Sequence, residues 1–426
     1  MLMREYIKKL PQELQDAITS IEAISHRRAM PAHLVGGIVR DMMLGADNFD
    51  LDIVVEGDAI EFAGEFASKF GAKLITHKRF GTATAVIKHG EKIDFATSRK
   101  ETYPYPAELP LVSQGDLQDD LARRDFSINA MAFALSKEQF GALIDRFNGA
   151  RDLKTGKIRV LHDVSFLDDP TRMLRAIRFE QRYGFTIEPH TQALLIDAVK
   201  AGMLEKVEPQ RLRDELMLIL KETDPVKPIR RIHELLGFNF IDRGFVVSRK
   251  TYASLESVKK HIGWFKKTHI ARRRLDAWVI YLITLLDSAR NDRVRKICGR
   301  FAFHKGDKKR VLDYKKINHA YILKLSRKKI KASQLFKLLE PLSYEVIIAL
   351  KAKYKDRNLQ HNIESFLTHY SGTRIHVNGD DLRQLGLTPG PGYQNIFAKV
   401  LNAKLDGALK SREAELAFIK GMIKAK

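Results

Sequence analysis

Apolar residues recur along this chain in two rhythms. Up to about residue 150 they come in short runs or alternate with polar positions, as strands do; beyond Asp168 they recur every three to four residues, as helices do. His33-Leu34-Val35 is the first short run, and it meets Gly36-Gly37 before a helical turn carrying Arg40. Leu51 to Val55 is the second, with Asp50 and Asp52 on one face and Leu51 and Ile53 turned to the core. Further strands are expected over 73–76, 82–88 and 92–96, with Gly81 and Gly90 between them. Amphipathic helices are expected over residues 5–30, through Leu14, Ile18, Ile21 and Ile24, and over 60–70. A turn from Asp145 to Asp152 closes this α/β or α+β sheet domain.

The helical half begins at Asp168-Asp169-Pro170-Thr171-Arg172, where acidic residues and a proline suit a helix start. Asp169, Arg172, Arg175 and Arg178 then recur every third residue, opposite Met173, Leu174 and Ile177. Residues 208–220 repeat the design, with Arg211 and Glu215 spaced as an i,i+4 ion pair. Past residue 240 the pattern is nearly all helix. A turn over 386–392 feeds a helix from about Asn395 to Leu405.

The strongest candidate chemistry lies in the sheet half. Asp50 and Asp52, side by side on a strand, repel unless a cation neutralises them, and such oxygen ligands suit Mg2+. Gly36 and Gly37 let backbone approach a bulky anion, and Arg40 can neutralise a triphosphate. Asp94 is a candidate third carboxylate; the alternative is a plain surface residue. Tyr103 to Pro110 holds three prolines and reads as a mobile loop. After it, Arg124, Asp125 and Asn129 form a polar edge.

The 426 residues suggest about three domains. Lys+Arg 74 against Asp+Glu 52 gives a net charge of +22, which favours a polyanionic partner such as nucleic acid. The excess is clustered at Lys259-Lys260, Lys266-Lys267, Arg272-Arg273-Arg274, Lys308-Lys309-Arg310, Lys315-Lys316 and Arg327-Lys328-Lys329, with His261, Trp264 and Phe265 interleaved. That is the footprint of a phosphate-backbone surface. Cys298 is the only cysteine, so internal disulfides, thiolate metal sites and redox pairs are excluded. The N-terminus has no apolar signal region, and Ala277 to Leu286 is about half the length of a membrane span. No membrane association and a cytoplasmic location are expected.

Together these stretches resemble the class II tRNA nucleotidyltransferases, the CCA-adding enzyme and bacterial poly(A) polymerase family of the polymerase β superfamily. The resemblance rests on Gly36-Gly37-x-x-Arg40-Asp41, Asp50-x-Asp52, Arg123 to Ala130, Asp168-Asp169-x-x-Arg172, and Arg211 with Glu215. It implies an α+β, polymerase β-like head over residues 1–150, followed by an all-α neck (151–235), body (236–360) and RNA-binding tail (361–426). It implies Asp50 and Asp52 as catalytic ligands of Mg2+. Gly36, Gly37, Arg40 and Arg124 would bind the nucleotide, Gly37 and Arg40 at its phosphates; Asp169 and Arg172 would read the base edge of CTP or ATP, and Arg175 and Arg178 would lie near the nucleotide. The partners implied are the tRNA 3′ end, CTP and ATP, with the chain a monomer or homodimer. Departures are Asp168 where the family usually has Glu, and a 145–150 turn without the usual proline and paired glycines. The stretch from Tyr103 to Asp116 falls where the family keeps a loop needed for A addition, which favours CCA or terminal A addition over a CC-adding enzyme. Poly(A) polymerase is the enzymatic alternative, and an RNA-binding module with a retired nucleotidyltransferase fold the non-enzymatic one.

Overall fold

The computed structural model describes residues 2–46, 50–88, 90–268 and 274–424; Phe49, Arg272 and Arg273 lie outside them. The chain divides into two compact units, Met1–Glu215 with Glu234–Phe240, and Leu216–His233 with Ile241–Lys426.

The first unit is built on a seven-stranded sheet. Its strands are β1 (Ala32–Val35), β2 (Leu51–Val55), β3 (Lys73–His77), β4 (Thr82–Val86), β5 (Lys92–Thr97), β8 (Ala132–Ala134) and β9 (Leu143–Ile144), in the order β3-β4-β5-β2-β1-β8-β9. Only β2 and β5 of this sheet run parallel, in a register that sets Asp52 beside Asp94. Leu51 and Ile53 are buried, as alternation requires, and Asp52 is exposed between them. Helix Ala59–Phe70 packs on β4 and β5, where Phe62 and Phe66 meet Phe95 at ring distances of 5.9 and 5.4 Å.

The helix expected over residues 5–30 is two, Leu2–Ile7 and Gln12–Arg28. Pro11, which cannot donate an amide inside a helix, stands at the N-cap of the second. Tyr103 to Pro110 is the connection of an antiparallel ribbon, formed by β6 (Arg99–Thr102) and β7 (Leu111–Gln114) on either side of it, so that all three prolines stay outside the strands and only the 111–114 part of the longer Tyr103–Asp116 stretch is strand. The Asp145–Asp152 turn contains the start of helix Gly149–Thr155, whose first amides bond the Asp145 carboxylate at 2.7 and 2.9 Å. Only glycine fits at 149, since a Cβ there would stand 2.2 Å from the Ser127 carbonyl oxygen.

The second unit is all helix among its described residues. Ala277–Leu285 is apolar on every side because it is the core, packed by helices Arg249–Lys267 and Tyr344–Lys353. No described helix is long and apolar enough to cross a membrane. Cys298 is buried, which pushes its thiol up to about 11. Several residues expected on a phosphate-binding face are structural instead. Phe265 is buried, and Lys351 lies 4.8 Å over the Trp264 ring. Arg310 pairs with Asp276, Asp307 and Glu345, and Lys315 donates to two backbone carbonyls. Lys266, Lys267, Lys328 and Lys329 are exposed. Burial lowers the half-buried His261 to about 4, helped by Lys351 and Lys260.

Candidate active site

Strand β1 runs through Gly36 into helix Gly37–Met43. Gly36 adopts φ 75° and ψ −128°, a conformation open almost only to glycine. Arg124 fills the space above it: a Cβ on residue 36 would stand 2.4 Å from Arg124 Nη1. Asp120 holds Arg124 Nη2 at 3.0 Å, and the buried Nε has no hydrogen-bond partner among the described residues. An unpaired buried guanidinium N–H is a ready donor for an anion. Gly36→Ala is expected to cost about 1 to 3 kcal/mol of backbone strain. It should also displace Arg124, lowering kcat/KM for nucleotide incorporation at least about tenfold, as one charge-assisted bond is lost. Steady-state kinetics beside a circular dichroism melt checks both; full activity in a folded variant would overturn it.

Asp50 immediately precedes β2, and Asp52 projects from it beside Asp94, which accepts from the Thr84 hydroxyl. Asp52 is open to solvent on its strand face, yet the surrounding protein crowds its carboxyl. That crowding, then Asp94 and Asp50, raise it to about 6, with Arg124 opposing. Among the described residues no group of three or more His, Cys, Asp or Glu is placed to hold a metal ion, so Asp94 does not complete a three-carboxylate set. The Asp50 and Asp52 oxygens, with Asp94's charge behind them, still fit a hard divalent cation, whose charge would relieve the repulsion that raises Asp52.

A cleft of about 550 Å3 opens on the same unit. Gly37, Arg40, Arg124, Asp169, Arg172 and Arg175 line it. Gly36, Asp50, Asp52 and Arg178 are not among its lining residues. Its floor is one polar chain. Arg40 Nη1 donates to Asn129 Oδ1 at 2.6 Å, and Asn129 Nδ2 donates to Asp125 Oδ1 at 2.9 Å. Asp125 Oδ2 accepts from Arg175 Nε and Nη2 at 2.9 and 2.7 Å, and Arg175 Nη1 reaches Glu215 Oε1 at 3.0 Å. Burial alone would raise the Asp125 carboxyl, but Arg175 and the Asn129 hydrogen bond hold it below its usual range. Asp125 and Glu215, against burial, push Arg175 upward. Arg40 is buried over the Phe179 and Tyr183 rings, at 5.4 and 4.9 Å, and also bonds Asp41.

The helix carrying the arginines is Thr171–Tyr183, and Asp169 lies in an extended break before it, after the short helix Ser165–Asp168. Arg172 donates to Ser165 Oγ at 2.7 Å and to the Arg123 carbonyl at 2.9 Å. Arg178 is buried against Glu215 and the Phe179 ring. A stripe repeating every third residue drifts about 60° per step on a helix of 3.6 residues per turn, so Arg178 has turned away from the face of Arg172. Arg211 and Glu215 do not pair with each other: Glu215 is taken by Arg175 and Arg178, and Arg211 pairs with Asp169 at 2.7 Å.

Residues 32–159 match the profile of the poly A polymerase head domain, and residues 184–241 that of the probable RNA and SrmB-binding site of polymerase A. The A-adding tRNA nucleotidyltransferase of Geobacter sulfurreducens is 38% identical over 96% of this chain, which spans 47% of that relative, about half its length. The A-adding tRNA nucleotidyltransferase of Halalkalibacterium halodurans is 31% identical over 91% of this chain and 88% of its own. The apo form II structure of a CCA-adding enzyme superposes with a TM-score of 0.80 at 33% identity, covering 99% of this chain and 98% of that one. The chain belongs to the tRNA nucleotidyltransferase family. A further neighbour is the Thermotoga maritima CCA-adding enzyme complexed with tRNA-CCA, at a TM-score of 0.75 and 33% identity, covering 99% of this chain and 98% of that one.

In this nucleotidyltransferase-family chain the cleft also holds residues that sequence reasoning passed over. Glu101 on β6 accepts from Arg99, Arg123 and Tyr103, at 2.8, 3.2 and 2.9 Å, and so ties the foot of the proline-rich connection to the site. Tyr103 lines the cleft, and burial followed by Glu101 raises its hydroxyl above the ordinary range. Phe179 also lines it, as does Glu215, which the sequence marks only as a partner for Arg211. The signal available for Glu101 was an acid just ahead of the prolines, and only pairing with β7 gives that acid a direction.

Proposed function

We propose that the chain transfers AMP, with terminal A addition the best-supported step, from ATP to the 3′ end of a tRNA. The observation that carries this reading is the A-adding relative from Halalkalibacterium halodurans, whose similarity runs along nearly the whole of both chains. A second reading, stepwise CCA addition using CTP as well, is favoured by the CCA-adding enzyme structures that match over almost the full chain. A tRNA substrate implies work in the cytoplasm.

In the proposed reaction the RNA 3′-oxygen attacks the α-phosphorus in line. The new O–P bond forms as the α–β bridge breaks, pyrophosphate leaves, and the hydroxyl proton passes to solvent. Asp50 and Asp52 would hold Mg2+, which supplies activation of the hydroxyl and shields the triphosphate. Arg124, with its unpaired Nε, and Arg40 beside Gly37 neutralise the phosphates. Asp169 accepts from the exocyclic amine of the base and Arg172 donates to its ring acceptors. The sheet domain to about residue 150 acts as the catalytic head, 151–235 as the neck that reads the base, and the basic body and tail carry the RNA.

Three labelled tRNAs, ending before CCA, after C and after CC, are given ATP, CTP or both with Mg2+. Extension of only the CC-ending tRNA, by one A, is the expected outcome. Growth of the first by three residues and then a stop would mean CCA addition. A long ladder with ATP would mean poly(A) polymerase, a stop after two C a CC-adding enzyme, and no extension of any substrate the RNA-binding module.

A further inference from the structure

Asp169 is held by one oxygen. The Thr171 backbone N–H and hydroxyl donate to its Oδ1 at 3.0 and 2.6 Å, and Arg211 Nη2 lies 2.7 Å from the same atom. Oδ2 accepts no hydrogen bond among the described residues, and Asp169 lines the cleft. The Thr171 contacts are local: they form wherever a residue in this extended conformation (φ −132°) precedes a helix start, and they leave the carboxylate free to turn about Oδ1. Arg211 comes from helix Pro209–Leu220, a separate element, and fixes the carboxylate from outside its own turn. It is directed there because Glu215, one turn further on, is occupied by Arg175 and Arg178.

We propose that Arg211 is a positioning residue for nucleotide selection: it pins Asp169 through Oδ1 so that Oδ2 faces the cleft as a fixed acceptor. The inference rests on the reading of Asp169 as the group that meets the base edge. A fixed carboxylate oxygen accepts an amine N–H from adenine or cytosine. Guanine and uracil bring a keto oxygen to the same place, two acceptors meet without a proton, and the mismatch costs about ten- to a hundredfold. Without Arg211 the carboxylate can turn aside, or admit a water that donates to the keto oxygen, and the penalty against guanine and uracil falls. Discrimination therefore drops more than affinity for the preferred nucleotide.

The test uses the full chain carrying Arg211→Ala, Arg211→Gln, Arg211→Lys or Asp169→Asn, with thermal melts for each. Equilibrium titrations with ATP, GTP, CTP and UTP, without RNA, read the preference for amine-bearing bases; single-nucleotide incorporation reads KM and kcat separately. In Arg211→Ala the ATP-over-GTP and CTP-over-UTP preferences should fall about ten- to a hundredfold, with a smaller change in ATP affinity and partial recovery in Arg211→Lys. If Arg211→Ala does not fold, Arg211→Gln carries the same expectation. A folded Arg211 variant with unchanged preference, while Asp169→Asn loses it, overturns the role of Arg211 alone. Unchanged preference in Asp169→Asn as well overturns the reading of Asp169 and this inference with it.

Discussion

Replacing Asp50 and Asp52 together by alanine is expected to abolish nucleotide incorporation, by about a thousandfold or more, while RNA binding stays near that of the unmodified chain. The size follows from the cation that the pair is proposed to hold. Charge stabilisation by a bound cation is worth several kcal/mol in the transition state, and each 1.36 kcal/mol is about tenfold in rate. The residues proposed to bind RNA are separate, with exposed lysines such as Lys266, Lys267, Lys328 and Lys329 as the candidates, and neither aspartate supports the core: Asp52 is exposed and its strand neighbours Leu51 and Ile53 do the packing. Single-turnover incorporation with a labelled tRNA, beside filter binding of the same RNA, separates the two effects. Retained incorporation in the double variant would refute the metal assignment, and loss of RNA binding in parallel would point to a structural role. Asp94→Ala is the internal contrast. Asp94 lies beside Asp52 without completing a three-carboxylate group, so its loss should cost less than either ligand.

What could be read before any coordinates were known was local. Alternation of two along 50–55 puts both aspartates on one face whatever the rest of the chain does. A glycine pair between a strand and a helix likewise marks a close approach, although not that Arg124 is what approaches. The errors come from longer range. The three-residue stripe of arginines looked continuous, yet the helix rotates Arg178 into the interior, where it braces Glu215. The pairing of Arg211 with Glu215 satisfied helix spacing, but two arginines from another helix claimed Glu215 and redirected Arg211 to Asp169.

The same limit governs the basic half and the proline-rich stretch. A run of lysines and arginines has no way of announcing which members are pinned, and here Arg310 and Lys315 are tied to acids and carbonyls while Lys328 and Lys329 stay exposed. Prolines truly exclude a ladder where they stand, at 104, 106 and 110, but say nothing against the residues on either side. Those residues form β6 and β7 and bring Glu101 to the site. Family resemblance supplied the arginine and aspartate positions of the cleft; the network that orients them emerges only when the chain is folded.

That network predicts the second large effect, on stability. Asp125→Ala is expected to destabilise the first unit by about 3 to 5 kcal/mol, because it leaves the half-buried Arg175 guanidinium without its bidentate partner and the buried Asn129 amide and Phe126 N–H without their acceptor. Asp125 is 7% exposed and takes two bonds from Arg175 and one from Asn129, so water cannot replace the lost carboxylate. For a unit of this size the melting temperature should fall by roughly 6 to 20 °C. The carboxyl is held below its usual value, near 3.9 in an unfolded chain, and the sign of the pH dependence follows. A depressed carboxylate contributes its full stability above the unfolded value and loses it as pH falls through the folded one. The gap between the unmodified chain and Asp125→Asn should therefore be constant from about pH 5 to 8 and close only below about pH 4. Urea midpoints measured across that range decide it. A gap as wide at pH 3 as at pH 7, or one that already closes near pH 6, would mean that Asp125 does not anchor Arg175 as a carboxylate and that the floor of the cleft is held by other contacts.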